Sequence, residues 1–214
     1  FLLAFYVVEL IGKDEAGEIN SEEASLLRLL TSINKLVTGR QGVMVTSEIL
    51  EAHGGAGYVE DTGLPLLLRD AQVLPIWEGT TNVLALDTLR ALRDDAPLAA
   101  LAQKVQQCIQ PVTDTRLATA GQVAQAGLAH AQDWLQHALT QGQPTLEAGA
   151  RRFALTLGRS LELALLVEQA QWSLAMEGDG RTRTAACRFS RTAVDLITDD
   201  EPLNELHALA NDIL

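Results

Sequence analysis

Apolar positions recur at helical spacing along nearly the whole chain. The first run, residues 1–11, is apolar on almost every side, the pattern of a helix buried on several faces. Residues 12–18 are polar, contain glycine and read as a loop. Asn20-Ser21-Glu22-Glu23 has the form of a capping box, with Asn20 as N-cap and Glu23 reaching back to it. Leu26, Leu29, Leu30, Ile33, Leu36 and Val37 then mark a long helix to about Ala52. Gly39 and Gly42 sit inside it. Glycine costs up to about 1 kcal/mol in a helix interior, so close packing is expected there. Gly54-Gly55 end the helix.

Residues 54–79 break the pattern, with Gly54, Gly55, Gly57, Gly63, Pro65, Pro75 and Gly79. They read as a long loop with one helical turn around residues 66–68, and loops of this length are usually functional. A helix resumes from Thr80 to about Arg93, capped by Thr80 or Thr81. Beyond Pro97, one helical face carries Leu98, Leu101, Val105 and Ile109, and the next Leu117, Ala124, Leu128, Ala131, Leu135 and Leu139. A turn at 141–144 leads to a long helix marked by Phe153, Leu157, Leu161, Ala164, Leu165, Trp172 and Met176, with both Trp134 and Trp172 expected in the core. After a turn at 177–180, helical spacing returns with Ala186, Phe189, Ala193 and Leu196, then Leu206, Ala210 and Ile213. Short connections between long helices imply an all-α antiparallel helical bundle.

Composition narrows the function classes. Only 4% of the 214 residues are aromatic, and the Ala- and Leu-rich remainder favours helix over strand. Lys and Arg number 16 against 28 Asp and Glu, a net charge of −12, which argues against a nucleic-acid partner. Cys108 and Cys187 are too few for a disulfide scaffold and fit a reducing, cytoplasmic compartment as packed small hydrophobes. Glu9 interrupts a first apolar run already far shorter than the ~20 residues a membrane span needs. Without an initiator Met, the chain reads as the C-terminal piece of a longer protein. His53, His130, His137 and His207 lack metal-ligand spacing, so no metal site is expected. Arg181, Arg183, Arg188 and Arg191 stand among acids and read as a solvated, ion-paired face.

Candidate chemistry concentrates in Glu51-Ala-His-Gly-Gly-Ala-Gly-Tyr58, Leu68-Arg-Asp-Ala71 and Ile76-Trp-Glu-Gly-Thr-Thr-Asn82. The third segment opens a helix, whose first amides suit a phosphate or other anion. Glu78 precedes the glycine there, and Ile76 and Trp77 offer the apolar flank that lets a carboxylate serve as a base. From the residues alone, plain turns fit the glycines as well.

These segments resemble, in order and spacing, the C-terminal signature of the flavin-dependent acyl-CoA dehydrogenases: Gly54-Gly55-x-Gly57-Tyr58, Arg69-Asp70-Ala71, then Ile76-x-Glu78-Gly79-Thr80. The wording from Tyr58 to Pro65 and from Asp70 to Leu84 is similar to the AidB-like branch, linked to the response to alkylation. The resemblance covers residues 1–93, as a C-terminal helical domain with the FAD and catalytic loop. Residues 94–214 would be an additional helical region. It implies that Glu78 removes the α-proton of an acyl-CoA thioester while FAD accepts the β-hydride, with the electrons passing on to an acceptor. Gly79, Thr80 and Asn82 would lie against the FAD. Gly54 and Gly55 would approach the FAD of a neighbouring subunit in a homo-oligomer. Arg69 and Asp70 would be a structural ion pair. Glu51 stands where many members carry Gln, and its charge argues against a place beside a pyrophosphate. Trp77 replaces a commoner Tyr or Phe. The family's N-terminal helical and middle β-domains have no counterpart in these residues. Two alternatives stand beside this reading: an AidB-like DNA-associated stress protein with vestigial dehydrogenase chemistry, and a bundle serving oligomerisation alone.

Overall fold

The computed structural model describes residues 1–92, 95–198 and 208, and among them every regular element is helical. Eight α-helices follow in order: α1 (Leu2–Glu15), α2 (Ser21–Ala52), α3 (Leu64–Val73), α4 (Thr81–Ala91), α5 (Ala96–Ile109), α6 (Thr115–Gln141), α7 (Gln143–Met176) and α8 (Arg181–Phe189). The expected capping box opens α2: Glu23 N donates to Asn20 Oδ1 at 2.9 Å, and Asn20 N donates to Glu23 Oε2 at 3.2 Å. Asp114 caps α6 by accepting from the amides of Arg116 and Leu117. The α6–α7 hairpin turns on Gly142 alone, which makes those helices antiparallel neighbours. Trp134 and Phe153 stack across it with ring centroids 5.2 Å apart. One apolar core runs through α1, α2, α4, α5, α6 and α7, with Leu29, Leu30, Ile33, Leu101, Leu117, Phe153, Leu157 and Leu161 out of solvent's reach. Cys108 and Cys187 are buried and unpaired, and burial pushes the Cys108 thiol up to about 12.

Several expectations need correction. Residues 12–15 continue α1, whose end is tied down by Lys13 to Glu9 and Glu23. That helix buries only Leu3, Val7 and Leu10; Phe1, Phe5, Val8 and Ile11 face outward, because no described element packs on that side. The expected loop at 54–79 holds a ten-residue helix, α3, with Pro65 in its first turn where a missing amide is harmless. Trp172 is 50% exposed, and Leu139 and Met176 also face outward. On α7 the inward positions at the Trp172 level belong to Ala170 and Ser173, so the indole lies about 100° off the buried stripe.

The helical spacing through Ala193 and Leu196 is not realised either. Residues 190–198 run as irregular chain, held by Leu196 N to Thr156 Oγ1, Arg159 Nε to Ala193 O and His130 Nδ1 against Asp195 Oδ2. Arg93, Leu206, Ala210, Ile213 and His207 lie outside the described residues. Among the described residues, no helix is long and apolar enough to cross a membrane, and no cluster of His, Cys, Asp and Glu could hold a metal ion.

Candidate active site

The second half of α2 is the platform on which the Glu78 segment is built. Gly39 is buried there, and a Cβ on it would lie 3.4 Å from the Leu74 carbonyl carbon and the Pro75 nitrogen. The chain leaving α3 therefore crosses directly over the α2 backbone, which is the close packing that the mid-helix glycine announced. One turn earlier, Lys35 Nζ donates to Leu74 O at 3.2 Å and to Gly79 O at 2.7 Å. Between those carbonyls the chain turns tightly, with the amides of Ile76 and Trp77 both donating to Val73 O.

Glu78 stands at the centre of this turn with φ +53°, the one non-glycine residue in the left-handed region among those described. Side chains avoid that region at a cost of about 1 kcal/mol or more, and such strain persists where the surroundings impose it. Gly79 follows at φ +110°. Thr80 is extended and is the N-cap of α4, but its hydroxyl makes no capping bond, contrary to expectation. Leu84, buried on the next turn, anchors α4 beneath the loop. Thr80 and Asn82 are exposed, as Glu78 is, and Gly79, between Glu78 and Thr80, is part-buried. Ile76 and Trp77 are exposed, at 60% and 54%, and Glu78 is exposed with them. The dry flank expected from sequence is therefore not closed by this chain on its own.

Gly54 and Gly55 lie elsewhere. They follow the end of α2, fifteen residues past the Gly39 crossing, which at 1.5 Å per residue is roughly 20 Å along the axis. They face solvent, and a Cβ on either would touch nothing. The two glycine-rich segments thus do not share a site within one copy of the chain. Arg69 pairs with Glu60, not with its neighbour Asp70, by two bonds of 2.9 and 3.0 Å. Adjacent residues on a helix do not face one another, which is why Asp70 is no partner. Two of the four arginines of the other cluster are ion-paired, Arg181 to Asp179 and Arg183 to Asp114. Lys35 was missed by sequence reasoning; as one of two polar residues, with Asn34, between Ile33 and Leu36 it carried no distinguishing signal.

A chain with these motifs can be set against known proteins. Residues 4–92 match the family described as acyl-CoA dehydrogenase, C-terminal domain, and residues 96–210 match the acyl-CoA dehydrogenase 11 C-terminal domain-like family. The chain belongs to the acyl-CoA dehydrogenase family. Within it, acyl-CoA dehydrogenase family member 11 of Caenorhabditis elegans is 42% identical over 175 residues, 79% of this chain and 28% of that protein. The crystal structure of Caenorhabditis elegans ACDH-11 in complex with C11-CoA superposes with a TM-score of 0.87 at 35% identity. It covers 99% of this chain, which corresponds to 37% of that structure's. The putative acyl-CoA dehydrogenase AidB of Escherichia coli is 40% identical over 77 residues, 36% of this chain and 14% of that protein. The AidB likeness is thus confined to part of the chain, whereas the likeness to the worm dehydrogenase runs through most of it. The chain spans between a quarter and two fifths of the length of these two dehydrogenase-11 relatives.

Proposed function

We propose that the whole protein is an FAD-dependent dehydrogenase that introduces an α,β double bond into an acyl-CoA thioester, with Glu78 as the base. The observation that carries this reading is the backbone of Glu78, held left-handed in a turn that lies within the residues matched to the acyl-CoA dehydrogenase C-terminal domain. The donor set fits a flavin: Thr80 keeps an uncommitted hydroxyl, the first amides of α4 are free to donate, and Asn82 is exposed beside them. FAD, when bound, supplies the acceptor for the hydride from the β-carbon. Glu78 takes the α-proton onto its carboxylate, and its fixed backbone aims that carboxylate before substrate arrives. Gly79, Thr80 and Asn82 would hold the FAD. An acyl-CoA as substrate is supported by the C11-CoA in the ACDH-11 complex.

The roughly 20 Å between the two glycine-rich segments supports a homo-oligomer in which Gly54 and Gly55 approach the cofactor of a neighbouring copy. The same reading divides the chain into a catalytic helical domain to residue 93 and an additional bundle from 94 onward, places it in the cytoplasm and hands its electrons to a separate acceptor. The DNA-associated alternative is disfavoured by the net charge of −12 and by the carboxylates that already engage Arg181 and Arg183. Glu78→Gln in the intact flavoprotein tests the proposal. Flavin content should stay near wild type while reduction by acyl-CoA slows by at least ~100-fold, the usual share of positioned proton transfer. Reduction at the wild-type rate would overturn it.

A further inference from the structure

Lys35 lies on α2, 39 and 44 residues before the two carbonyls that bound the Glu78 loop, yet its ammonium binds both ends of that loop. Its two acceptors, Leu74 O and Gly79 O, bracket the four residues that contain the left-handed Glu78. An ammonium has three N–H donors and no acceptor, so it can draw two carbonyl oxygens toward one point where no neutral side chain of that length could. Carbonyls turned inward to the lysine fix the peptide planes at 74–75 and 79–80. The Gly39 contact fixes the height of the same segment above α2. A turn pinned at both ends and from beneath leaves residue 78 little choice of backbone angle, and a glutamate is held where glycine would be preferred.

We propose that Lys35 is a positioning residue for Glu78: it clamps the loop carbonyls so that the carboxylate is carried at one fixed place above α4. The proposal rests on Glu78 being the base, and its test separates the two. Lys35→Met keeps the length of the side chain and removes the donors. In the intact flavoprotein it should lower kcat by about 10- to 100-fold, the scale attached to a misplacement of ~1 Å, with acyl-CoA affinity and flavin content close to wild type. Hydrogen exchange in the segment 74–84 should speed up, whereas the amides of α6 and α7 should not change. In the Glu78→Gln background, Lys35→Met should bring no further loss, because a residue that acts through Glu78 has nothing left to position. Should Lys35→Met fail to fold, Lys35→Arg keeps a cation with several donors. It should fold with normal flavin content and a kcat between wild type and Glu78→Gln, again with no further loss on top of Glu78→Gln.

Additive losses in the double variant would overturn the proposal, as would parallel losses of flavin, affinity and thermal stability. A slow Glu78→Gln enzyme beside a Lys35→Met enzyme of wild-type kcat would sink the clamp and leave the base standing. A Glu78→Gln enzyme of wild-type rate would remove the base, and the clamp with it.

Discussion

Arg28 and Asp87 meet across α2 and α4 in a two-pronged ion pair, Nη1 to Oδ2 at 2.9 Å and Nη2 to Oδ1 at 3.0 Å. Ser32, buried one turn along α2, donates to the same carboxylate. The pair fixes the helix that carries Thr80 and Asn82 at its start to the helix that carries Lys35 and Gly39. Arg28, and after it Ser32, hold the Asp87 carboxyl below the usual carboxylate range. A depressed carboxyl contributes stability above its unfolded pKa and loses it as pH falls through the folded value. Asp87→Asn should therefore cost about 1 kcal/mol near neutral pH, the upper end for part-exposed pairs. The gap from wild type should close as pH drops below the carboxylate range. Urea unfolding of both chains between about pH 7 and pH 2 checks this, and a gap that stayed constant would count against the pair.

Glu78→Gly should make the chain more stable while removing the proposed base. Glycine enters the left-handed region without steric penalty, so relief of about 1 kcal/mol is expected, less the greater freedom glycine gains when unfolded. Glu78→Val should move the other way, since a β-branched side chain tolerates φ +53° least. Thermal unfolding of the three chains should rank Gly above Glu above Val. Any other order would mean that the turn relaxes around residue 78.

Much of the fold around Glu78 was legible in the sequence, and the parts that were not share a cause. Spacing gave the α2 stripe from Leu26 to Val37, and the capping box gave its first residue, because both are local in sequence. The motif order brought out Glu78, Gly79 and Thr80. Helix α3 was hidden because glycine and proline were read as loop, although Pro65 sits where a helix start admits it. The exposed faces of Phe5 on α1 and Trp172 on α7 could not be read, since hydrophobicity tells what a residue prefers and not whether a neighbour is there to meet it. Lys35 was invisible for a similar reason. Its acceptors are carbonyls 39 and 44 residues away, and a backbone carbonyl leaves no mark in a sequence.

Gly149 and Gly12 should respond oppositely to the same substitution. A Cβ on Gly149 would lie 2.1 Å from Trp134 Cζ2, and that ring is already held against Phe153. Gly149→Ala should therefore destabilise by about 1–3 kcal/mol through overpacking. Gly12 lies within α1 with nothing near its missing Cβ. Gly12→Ala should stabilise by about 0.5–1 kcal/mol through helix propensity alone. Unfolding in urea reads both, and a tolerated Gly149→Ala would show that the α6–α7 hairpin can open to take a methyl group.

Glu162 on α7 supplies the opposite pH signature from Asp87. Both its carboxylate oxygens accept from Gln41 Nε2 at 2.9 Å, a neutral donor. Burial dominates and raises the carboxyl above its ordinary range, with the Gln41 bond and the Arg159 charge opposing. A raised carboxyl is neutral in both states at low pH, where it costs nothing. It is charged in both states above its folded pKa, where the full desolvation penalty applies. Glu162→Gln removes that charge and keeps a carbonyl to accept the Gln41 amide. The substitution should leave stability unchanged below the ordinary carboxylate range. At neutral pH it should raise stability by on the order of 1 kcal/mol, the scale of single buried polar exchanges. The gain must grow with rising pH, whereas the Asp87→Asn loss grows in the same direction. Paired unfolding curves at about pH 3 and pH 7 separate the two. A Glu162→Gln chain less stable than wild type at neutral pH would mean that the carboxylate finds compensation in the Arg159 charge beyond what its contacts provide.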